Sequence, residues 1–426
     1  MKYLLKKVKL FQGNNTITEP LDLVISYGKI KIVNYDEIKI EKDYEEIDCL
    51  NKILIPSVTD LYANLKSPGQ EYQSILNKEI TAAIAGGITN ISCHPDTDPV
   101  LDEPSLIKDL ISKANKIFPI NINPYGAITK NLEGHLITEM IELHDAGATG
   151  FSQAEKSIIN TNVLIRAFEY AATYGFTLFL RPNDQFLSDS TFANQGSIAT
   201  RLGIKGLNKN SEIIEVLKYL AIAKTTKTKI HLSKISCGES IEIIERAKNE
   251  NINVTCDVSI NQILFNELDI DHYNTNFHLT PPLRSQADQN KISEGIRKNI
   301  VDAICSDHHP VDPDRKMQPF ENSEAGASAF ETYLSLIFKI SKIKNIEIEK
   351  LLSKISYQPY KIIYGEDYDL FKNQNLDFCL FDTSISWLPV NEQLKSSGKN
   401  IPFDWELEGS VTNTFVDGAE IYRRKI

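Results

Sequence analysis

Hydrophobic and polar residues alternate in short runs at both ends of the chain. Within residues 1 to about 55, Leu21, Leu23 and Ile25 are separated by single residues, and turn-forming segments follow. Such alternation predicts antiparallel strands. The tail from about residue 366 repeats the pattern in the segments LDFCLFD, GSVTNTFVDG and AEIYRR. We therefore expect strands from both ends of the chain to pair into one small β-sandwich domain.

The middle of the chain has a different pattern, in which short β-rich segments alternate with longer helical ones. The β-rich segments are ILIPSVTDLYANL, TNISCHPD, INPYGAIT, GATGFSQ, FTLFLRPND, KIHLSKIS, NVTCDVSI and DAICSDHH. Helices are predicted between them, for example from Gln73 to Ala85, with Gly86-Gly87 as the cap, and from Ser211 to Lys224. Eight such units predict an α/β fold of the (β/α)8 barrel class.

The predicted domain division places residues 1–55 and 366–426 in the composite β-sandwich and residues 56–365 in the barrel. In a barrel of this class, chemistry is found where the strands end and the βα loops begin. The residues that close each strand are therefore the candidates for a functional site.

Charge and composition narrow the class of protein. The 426 residues include 46 Lys and Arg against 57 Asp and Glu, a net charge of −11 without long runs of one sign. This balance argues against a protein that binds nucleic acid or an anionic membrane. No apolar stretch approaches the roughly 20 residues of a membrane span, and the first residues do not resemble a secretory signal. A cytoplasmic protein is expected, with its six cysteines reduced and buried.

Motifs at the strand ends carry a family resemblance. The first strand ends in DLYANLKSPG and the last carries SDHHP, while TPPLR starts at Thr280 and HLS at His231. Together these segments resemble the dihydroorotases of the amidohydrolase superfamily, which typically have D-x-H-x-H-L-R-x-P-G, T-D-H-x-P-H, N-P-P-L-R and H-V-S. The resemblance implies a TIM-like barrel of the amidohydrolase type with a split β-sandwich. It also implies an enzyme that uses zinc to cyclise carbamoyl aspartate reversibly to dihydroorotate.

The first metal positions of the family are replaced in this chain. Residues i and i+2 of a strand point to the same side, which explains how the two histidines of H-x-H bind one metal ion. Tyr62 and Asn64 stand at these two positions. Neutral tyrosine and an amide oxygen are poor ligands for zinc. The acidic ligand of the fourth strand falls at Gln153 or Ala154, neither of which ionises.

The family's remaining metal-binding positions have also lost most of their ligands. Arg181 stands at the histidine of the fifth strand, so a permanent cation takes the place of a ligand. Of the family's set only His231 and Asp307 remain, and two ligands do not make a zinc site. Asp307, which in the family holds metal and shuttles the proton, is expected here to pair with Arg181, in preference to a remnant catalytic role. His231, on an apolar strand, is more typical of a core histidine than of a lone ligand.

The positions that bind substrate in the family differ as well. Lys66 replaces the arginine that clamps the substrate carboxylate, which keeps the charge but loses the bidentate fork. Asp96 replaces an asparagine, so an anion would face an anionic substrate. Thr280 replaces the asparagine before P-P-L-R, and Val311 the last histidine of D-H-x-P-H.

Several other residues have competing interpretations. Cys305 is interpreted as core packing and Lys156 as a solvated lysine, in preference to a nucleophile and a carbamylated ligand. His308 and His309 are adjacent, face opposite sides of the strand, and are expected to flank the mouth. A different metal site remains open as an alternative, built from Asp60, His94, Asp96, Asp184, His308 and His309.

Two functions follow from the resemblance. The first is a non-catalytic dihydroorotase-like protein of de novo pyrimidine biosynthesis, without a cofactor, which forms homo-oligomers and acts as a structural subunit with aspartate transcarbamoylase. The second is an active dihydroorotase, or a hydrolase of another cyclic amide, with zinc in an atypical site. Metal content separates the two.

Overall fold

A computed structural model describes residues 2–13, 15–33, 44–71, 74–372 and 376–425. Its strands are β1 (Tyr3–Gln12), β2 (Thr16–Ile17), β3 (Leu21–Ser26), β4 (Lys29–Val33), β5 (Glu45–Asp48), β6 (Lys52–Pro56), β7 (Val58–Ala63), β8 (Ile88–Cys93), β9 (Asn121–Ala127), β10 (Gly150–Ser152), β11 (Thr177–Leu180), β12 (Ala193–Asn194), β13 (Gly206–Leu207), β14 (Lys229–Leu232), β15 (Val254–Ser259), β16 (Ala303–Cys305), β17 (Phe378–Trp387), β18 (Leu407–Val416) and β19 (Ala419–Arg423).

The α-helices of the described residues are α1 (Leu76–Ala85), α2 (Pro104–Ile117), α3 (Met140–Asp145), α4 (Thr161–Tyr174), α5 (Gln185–Ser188), α6 (Ser197–Leu202), α7 (Asn210–Thr226), α8 (Gly238–Asn249), α9 (Ile260–Leu264), α10 (Gln286–Arg297), α11 (Pro313–Lys316), α12 (Tyr333–Lys344), α13 (Ile348–Ser353) and α14 (Tyr357–Tyr364). Short 3-10 turns lie at Lys130–Leu132, Glu267–Tyr273, Thr275–Phe277, Phe320–Asn322 and Phe330–Thr332.

Eight strands form the predicted barrel. Their order is β16-β15-β14-β11-β10-β9-β8-β7, and each pair is parallel. At the seam between β16 and β7, an isolated parallel bridge joins Ala63 to His308. Because all eight strands run in one direction, their carboxyl ends meet at one rim, which is the mouth of the barrel. The expectation of an α/β barrel is confirmed.

A second sheet joins the two ends of the chain. Its path is β19-β18-β17-β6-β1-β3-β4, and β2 and β5 also pair with β1. The link between the ends is the antiparallel pair of β17 with β6, in which Phe378 faces Pro56 and Asp382 faces Lys52. The expected β domain built from both ends is thus confirmed. The exact borders at residues 55/56 and 365/366 stay a prediction.

The predicted helices follow their expected course. The first predicted helix is observed as α1, and its expected first residue, Gln73, lies outside the described residues. Gly87, two residues past the end of α1, has φ +80, and a Cβ there would lie 2.8 Å from Cys379 Sγ. A residue with a Cβ at position 87 would therefore be strained and would also clash with Cys379, at the point where the chain turns from α1 into β8. The predicted helix 211–224 is confirmed within α7.

Two expectations about the whole chain can be compared with the fold. All six cysteines are free and buried, as expected. Within the described ranges, no helix has both the length and the apolar character required to cross a bilayer.

Candidate active site at the barrel mouth

A lysine ammonium lies at the centre of the barrel mouth. Lys234 Nζ is 3.1 Å from Asp307 Oδ1, 2.9 Å from Glu155 Oε1 and 2.7 Å from the carbonyl oxygen of Thr280. The side chain is only 4% exposed. An ammonium has three N–H donors, and three oxygens lie within hydrogen-bonding distance. The charge of Lys234 is therefore fully engaged inside the protein.

A second cation lies on the other side of Glu155. Arg181 Nε is 3.5 Å from Glu155 Oε2, and the Tyr62 hydroxyl donates a 2.6 Å hydrogen bond to Glu155 Oε1. The Tyr62 ring also faces Lys234, whose Nζ lies 4.1 Å from the ring centroid. We call Lys234, Arg181, Glu155 and Asp307 the mouth ion cluster. Its two cations and two carboxylates have a formal sum of zero.

The cluster fixes the charge state of its members. Burial alone would raise the pKa of Glu155, but the charges of Lys234 and Arg181 and the hydrogen bond from Tyr62 lower it to about 2. Burial would lower the pKa of Lys234, whereas Asp307 and Glu155 raise it above its ordinary value. Glu155 is therefore an anion and Lys234 a cation at neutral pH.

The expected ion pair between Asp307 and Arg181 is wrong. Asp307 pairs with Lys234, and Arg181 pairs with Glu155. Lys234 has φ 52 and Asp307 has φ 54, so the backbone is left-handed where each strand passes into its loop. The ammonium, on its flexible four-carbon stem, occupies the space between the two carboxylates.

The assignment of His231 and Asp307 as remnants of the family's metal site stays a prediction, and the hydrogen bonds of His231 go to other residues. His231 Nε2 is 2.9 Å from Asp257 Oδ2, and Nδ1 is 2.8 Å from Thr255 Oγ1. Both ring nitrogens are engaged and the side chain is fully buried inside the barrel. The interpretation as a satisfied core histidine fits these contacts.

Sequence reasoning missed both Lys234 and Glu155. The segment Lys234-Ile235-Ser236 has the same spacing to serine as His231-Leu232-Ser233, three residues earlier. The family motif H-V-S can be placed on either segment, and only the later one reaches the mouth. Glu155 lies one residue past Ala154, the last position considered for the acidic ligand. Beside it, Lys156 is exposed, as expected for a solvated lysine.

Two adjoining cavities open from the mouth. The inner cavity has a volume of about 260 Å³, and its lining includes Tyr62, His94, Asp96 and Thr280 together with Lys234 and Asp307. The outer cavity, of about 550 Å³, includes Lys66, Arg315 and Glu324 in its lining. Asn64, Asp96 and His309 line both. The altered substrate positions Lys66, Asp96 and Thr280 thus lie around one connected space.

The charge of Lys66 is already paired. Its Nζ lies 2.7 Å from Glu324 Oε1 and 2.9 Å from His309 Nε2. Burial and the nearby Lys66 charge keep the pKa of His309 low, at about 4, although Glu324 acts to raise it. His309 therefore lines the mouth as a neutral ring, which corrects the expectation that it merely flanks the site.

Other candidates for an alternative metal site have structural partners. Asp60 accepts hydrogen bonds from the Ser306 amide at 2.8 Å and the Ser306 hydroxyl at 2.5 Å. Asp184 caps α5 by accepting from the amides of Phe186 and Leu187. His308 Nε2 lies 2.9 Å from Glu79 Oε2, away from the cavity. Cys305 is buried in β16, as the core interpretation expects.

The donor set does not fit the zinc that the family resemblance implies. In the part of the chain that the structure describes, no three His, Cys, Asp or Glu side chains converge as metal ligands. A catalytic zinc requires about three such ligands and an open position. Tyr62, Asn64, Arg181 and Lys234 stand around the mouth instead, and the last two are cations.

Comparison with known proteins identifies the family. A family model described as Dihydro-orotase-like matches residues 51–240. A dihydroorotase from Caldicellulosiruptor saccharolyticus is 30% identical over 429 residues, which cover 99% of this chain and 98% of the relative. A dihydroorotase-like protein from Pseudomonas putida is 30% identical over 86% of both chains. The chain belongs to the dihydroorotase family.

Family membership confirms the resemblance inferred from the strand-end motifs. The structure of L-hydantoinase (dihydropyrimidinase) from Arthrobacter aurescens has a TM-score of 0.86 and 20% identity, and the match covers 99% of this chain and 96% of that one. At this identity the likeness concerns the fold, and it supports the amidohydrolase-type barrel with its added sheet. The residues that the family typically has at its strand ends are therefore the standard against which the residues at this mouth count as replacements.

Proposed function

We propose that this member of the dihydroorotase family serves pyrimidine biosynthesis as a non-catalytic, dihydroorotase-like structural subunit. The observation that supports the proposal most directly is the position of Lys234. Its ammonium contacts the two mouth carboxylates, Asp307 and Glu155, at 3.1 and 2.9 Å. In a zinc site, carboxylates at such positions would be available to a metal ion.

Electrostatics makes this arrangement unfavourable for a metal. A divalent cation would have to displace Lys234 from both carboxylates or share them with it, close to the permanent charge of Arg181. Loss of a proton from Lys234 would relieve the repulsion, but the paired carboxylates raise its pKa. The cluster is already neutral in sum, so an added dication has no net negative charge to balance.

The substrate side of the mouth leads to the same proposal. Carbamoyl aspartate and dihydroorotate are anions, and the family clamps their carboxylate with an arginine. Here the corresponding Lys66 is bound to Glu324 at 2.7 Å, and the Asp96 carboxylate faces the cavity. An anionic substrate would therefore meet a neutralised cation and an opposing anion.

The proposed role as a structural subunit with aspartate transcarbamoylase rests on the family resemblance and on the retained architecture. The barrel and the two-ended sheet are both intact, although the ligands at the mouth are replaced. Function on the outer surface of a barrel does not depend on the chemistry of its mouth. The proposed complex, like homo-oligomer formation, is open to direct measurement.

Metal analysis and reconstitution test the proposal together. We expect the protein, purified without added zinc, to contain much less than one zinc per chain and not to cyclise carbamoyl aspartate. We also expect it to co-purify with aspartate transcarbamoylase and to restore the activity of that enzyme. Stoichiometric zinc that a chelator removes, with loss of cyclisation, would instead support an active dihydroorotase or another cyclic-amide hydrolase.

A designed metal site tests the role assigned to Lys234. The triple variant Tyr62→His, Asn64→His and Arg181→His supplies three imidazoles but retains the central ammonium. Adding Lys234→His removes that ammonium and supplies a fourth ligand. We expect the quadruple variant to bind zinc at least tenfold more tightly than the triple variant, measured by competition with a chromophoric chelator. Equal affinities in two folded variants would show that Lys234 does not block the site.

A further inference from the structure

Five large apolar side chains are exposed on three neighbouring helices on one side of the barrel. The helices are α4, which follows the fourth barrel strand, and α5 and α7, which follow the fifth. The exposed fractions are 72% for Phe186, 51% for Leu217, 47% for Ile214, 41% for Leu187 and 36% for Ile165. Single exposed apolar residues are common on protein surfaces, whereas a contiguous group marks an interaction site. We call these five residues the helix patch.

Hydrogen bonds beneath the helix patch hold α5 against the start of α7. The Asp184 amide donates to the carbonyl oxygen of Ser211 at 2.9 Å, and the Ser211 hydroxyl donates to Asn183 Oδ1 at 2.9 Å. The two apolar residues of α5 come directly after this junction in the chain. Those of α7 lie within its first three turns and are three positions apart, so they share one face of the helix. The exposed residues of α5 and α7 are therefore neighbours.

The third helix, α4, packs beside α7. The rings of Phe168 in α4 and Tyr219 in α7 are both buried and lie 6.4 Å apart between centroids. Ile165 lies about one turn before Phe168, and Leu217 lies about half a turn before Tyr219. Both helices lead away from the mouth rim, because each follows a barrel strand. The exposed residues of the two helices are therefore level with each other, and the patch continues across all three helices.

The area of the helix patch matches one half of a dimer interface. With about 200 Å² for a fully exposed large apolar residue, the exposed fractions amount to about 500 Å² per chain. Two copies face to face would thus bury about 1,000 Å² of apolar surface. A standard interface buries about 1,600 Å² in total, of which roughly 60% is apolar. The patch is therefore sufficient for a stable contact with a second copy of itself.

The charges that flank the helix patch also suit a second copy. On α7, Lys218 and Glu215 pair with each other at 2.5 Å. On α4, Arg166 and Glu169 are both exposed and have opposite charges. In a twofold-symmetric contact, each copy presents the same charges to the other, so an uncompensated cluster would repel itself. Because the four flanking charges sum to zero, this face can meet its own copy without such repulsion.

We propose that the helix patch is the contact surface between two copies of this chain, related by a twofold axis, in a dimer that forms in solution. The inference deepens the proposed function and rests on its homo-oligomer part, because it names the surface through which the copies meet. Phe186 is the expected anchor, since aromatic side chains are enriched at the centres of interfaces. Each copy would then remove from water the apolar surface that the single chain exposes.

Sedimentation equilibrium of the full chain alone, without aspartate transcarbamoylase, tests the proposal. We expect the mass of a dimer at about 10 μM chain, with a dissociation constant of about 1 μM or below. Phe186→Ser and Leu217→Lys should each raise this constant at least tenfold while the circular dichroism of the helices is retained. Ile343→Lys is the matched control and should leave the constant unchanged. Ile343 is 53% exposed on α12, which follows the eighth strand and so lies on the opposite side of the barrel.

Several results would overturn the proposal. The first is a wild-type chain that is monomeric at about 10 μM. The second is a dimer that both folded patch variants form as tightly as wild type, in which case homo-oligomer formation stands and another surface carries it. The third is a monomer whose patch variants lose binding to aspartate transcarbamoylase, which would assign the patch to that enzyme. Because Phe186 is mostly exposed, its replacement tests the patch even if Leu217→Lys disturbs α7. Zinc content and co-purification address the structural role separately.

Discussion

Two groups of charged residues, which lie at different places around the barrel, are built differently. In the first, Glu79 is fully buried and accepts hydrogen bonds from His308 Nε2 at 2.9 Å, Ser74 Oγ at 2.6 Å, Ser396 Oγ at 2.7 Å and the Ser397 amide at 2.8 Å. These donors come from the helix α1 region, the end of the last barrel strand and a distant loop. Every lone-pair direction of the carboxylate is used, so the group ties three segments together.

The mouth ion cluster has the opposite character. The Glu155 side chain is 32% exposed to the cavity, and the residues that the structure describes give Asp96 beside it no hydrogen-bond or ion-pair partner from another residue. Buried polar groups with complete sets of partners stabilise one arrangement of the chain, whereas a buried polar group without a partner is costly. The comparison indicates that the Glu79 group maintains the architecture, whereas the mouth ion cluster borders an open cavity.

The largest effect is expected from breaking the Glu79 group. Glu79→Ala leaves His308, two serine hydroxyls and an amide without their common acceptor, in a place that water does not reach. We expect the free energy of unfolding to fall by about 3–5 kcal/mol, measured by urea denaturation. Lys78→Ala, at the exposed neighbouring position of α1, should change it by less than about 0.5 kcal/mol. Similar losses in both variants would show that the effect belongs to the helix and not to the carboxylate.

A smaller effect is expected from the corresponding change at the mouth. Lys234→Met removes the ammonium from Asp307 and Glu155, but water in the cavity can solvate the exposed part of Glu155. We expect a loss of about 2 kcal/mol, below that of Glu79→Ala. Lys156→Met, at an exposed lysine, is the matched control. A loss for Lys234→Met as large as that for Glu79→Ala would remove the distinction between the two regions.

The sequence predicted much of the fold because the relevant signals are local. Alternation of residues such as Leu21, Leu23 and Ile25 predicted strands at the chain ends, and the alternation of β-rich and helical segments predicted the barrel. Motif position alone also located Tyr62 and Arg181 at the mouth. These inferences required no knowledge of which side chains meet.

The errors concern contacts between segments far apart in sequence. Two candidate motifs, beginning at His231 and Lys234, are three residues apart, and the left-handed backbone at Lys234 helps to direct the second one to the mouth. The pairing of Arg181 with Glu155 and not with Asp307 depends on where three strand ends converge. A sequence pattern specifies which residues close the strands. Packing and distance then determine which of several carboxylates each cation pairs with.

A further effect is expected on how stability depends on pH. The folded-state pKa values of Glu79 and Glu155 are both about 2, below the ordinary value of 4.5, because donors and cations surround each carboxylate against the effect of burial. A lowered pKa adds stability that is fully present above about pH 5 and is lost as pH falls toward 2. Glu155→Gln should therefore flatten the curve of unfolding free energy between about pH 5 and pH 2, relative to wild type.

The slope that remains in Glu155→Gln comes from the other carboxylates with lowered pKa values, which include Glu79 and Glu324. Exposed Glu169→Gln on α4 is the control and should leave the wild-type slope unchanged. If the slope of unfolding free energy against pH is the same in Glu155→Gln and in wild type, the cations do not lower the pKa of Glu155. Lys234 and Arg181 would then not act electrostatically in the place of a metal ion. If the slope falls, the cations beside the open cavity hold Glu155 as an anion, and the same measurement on Glu79→Gln then gives the share of the closed group.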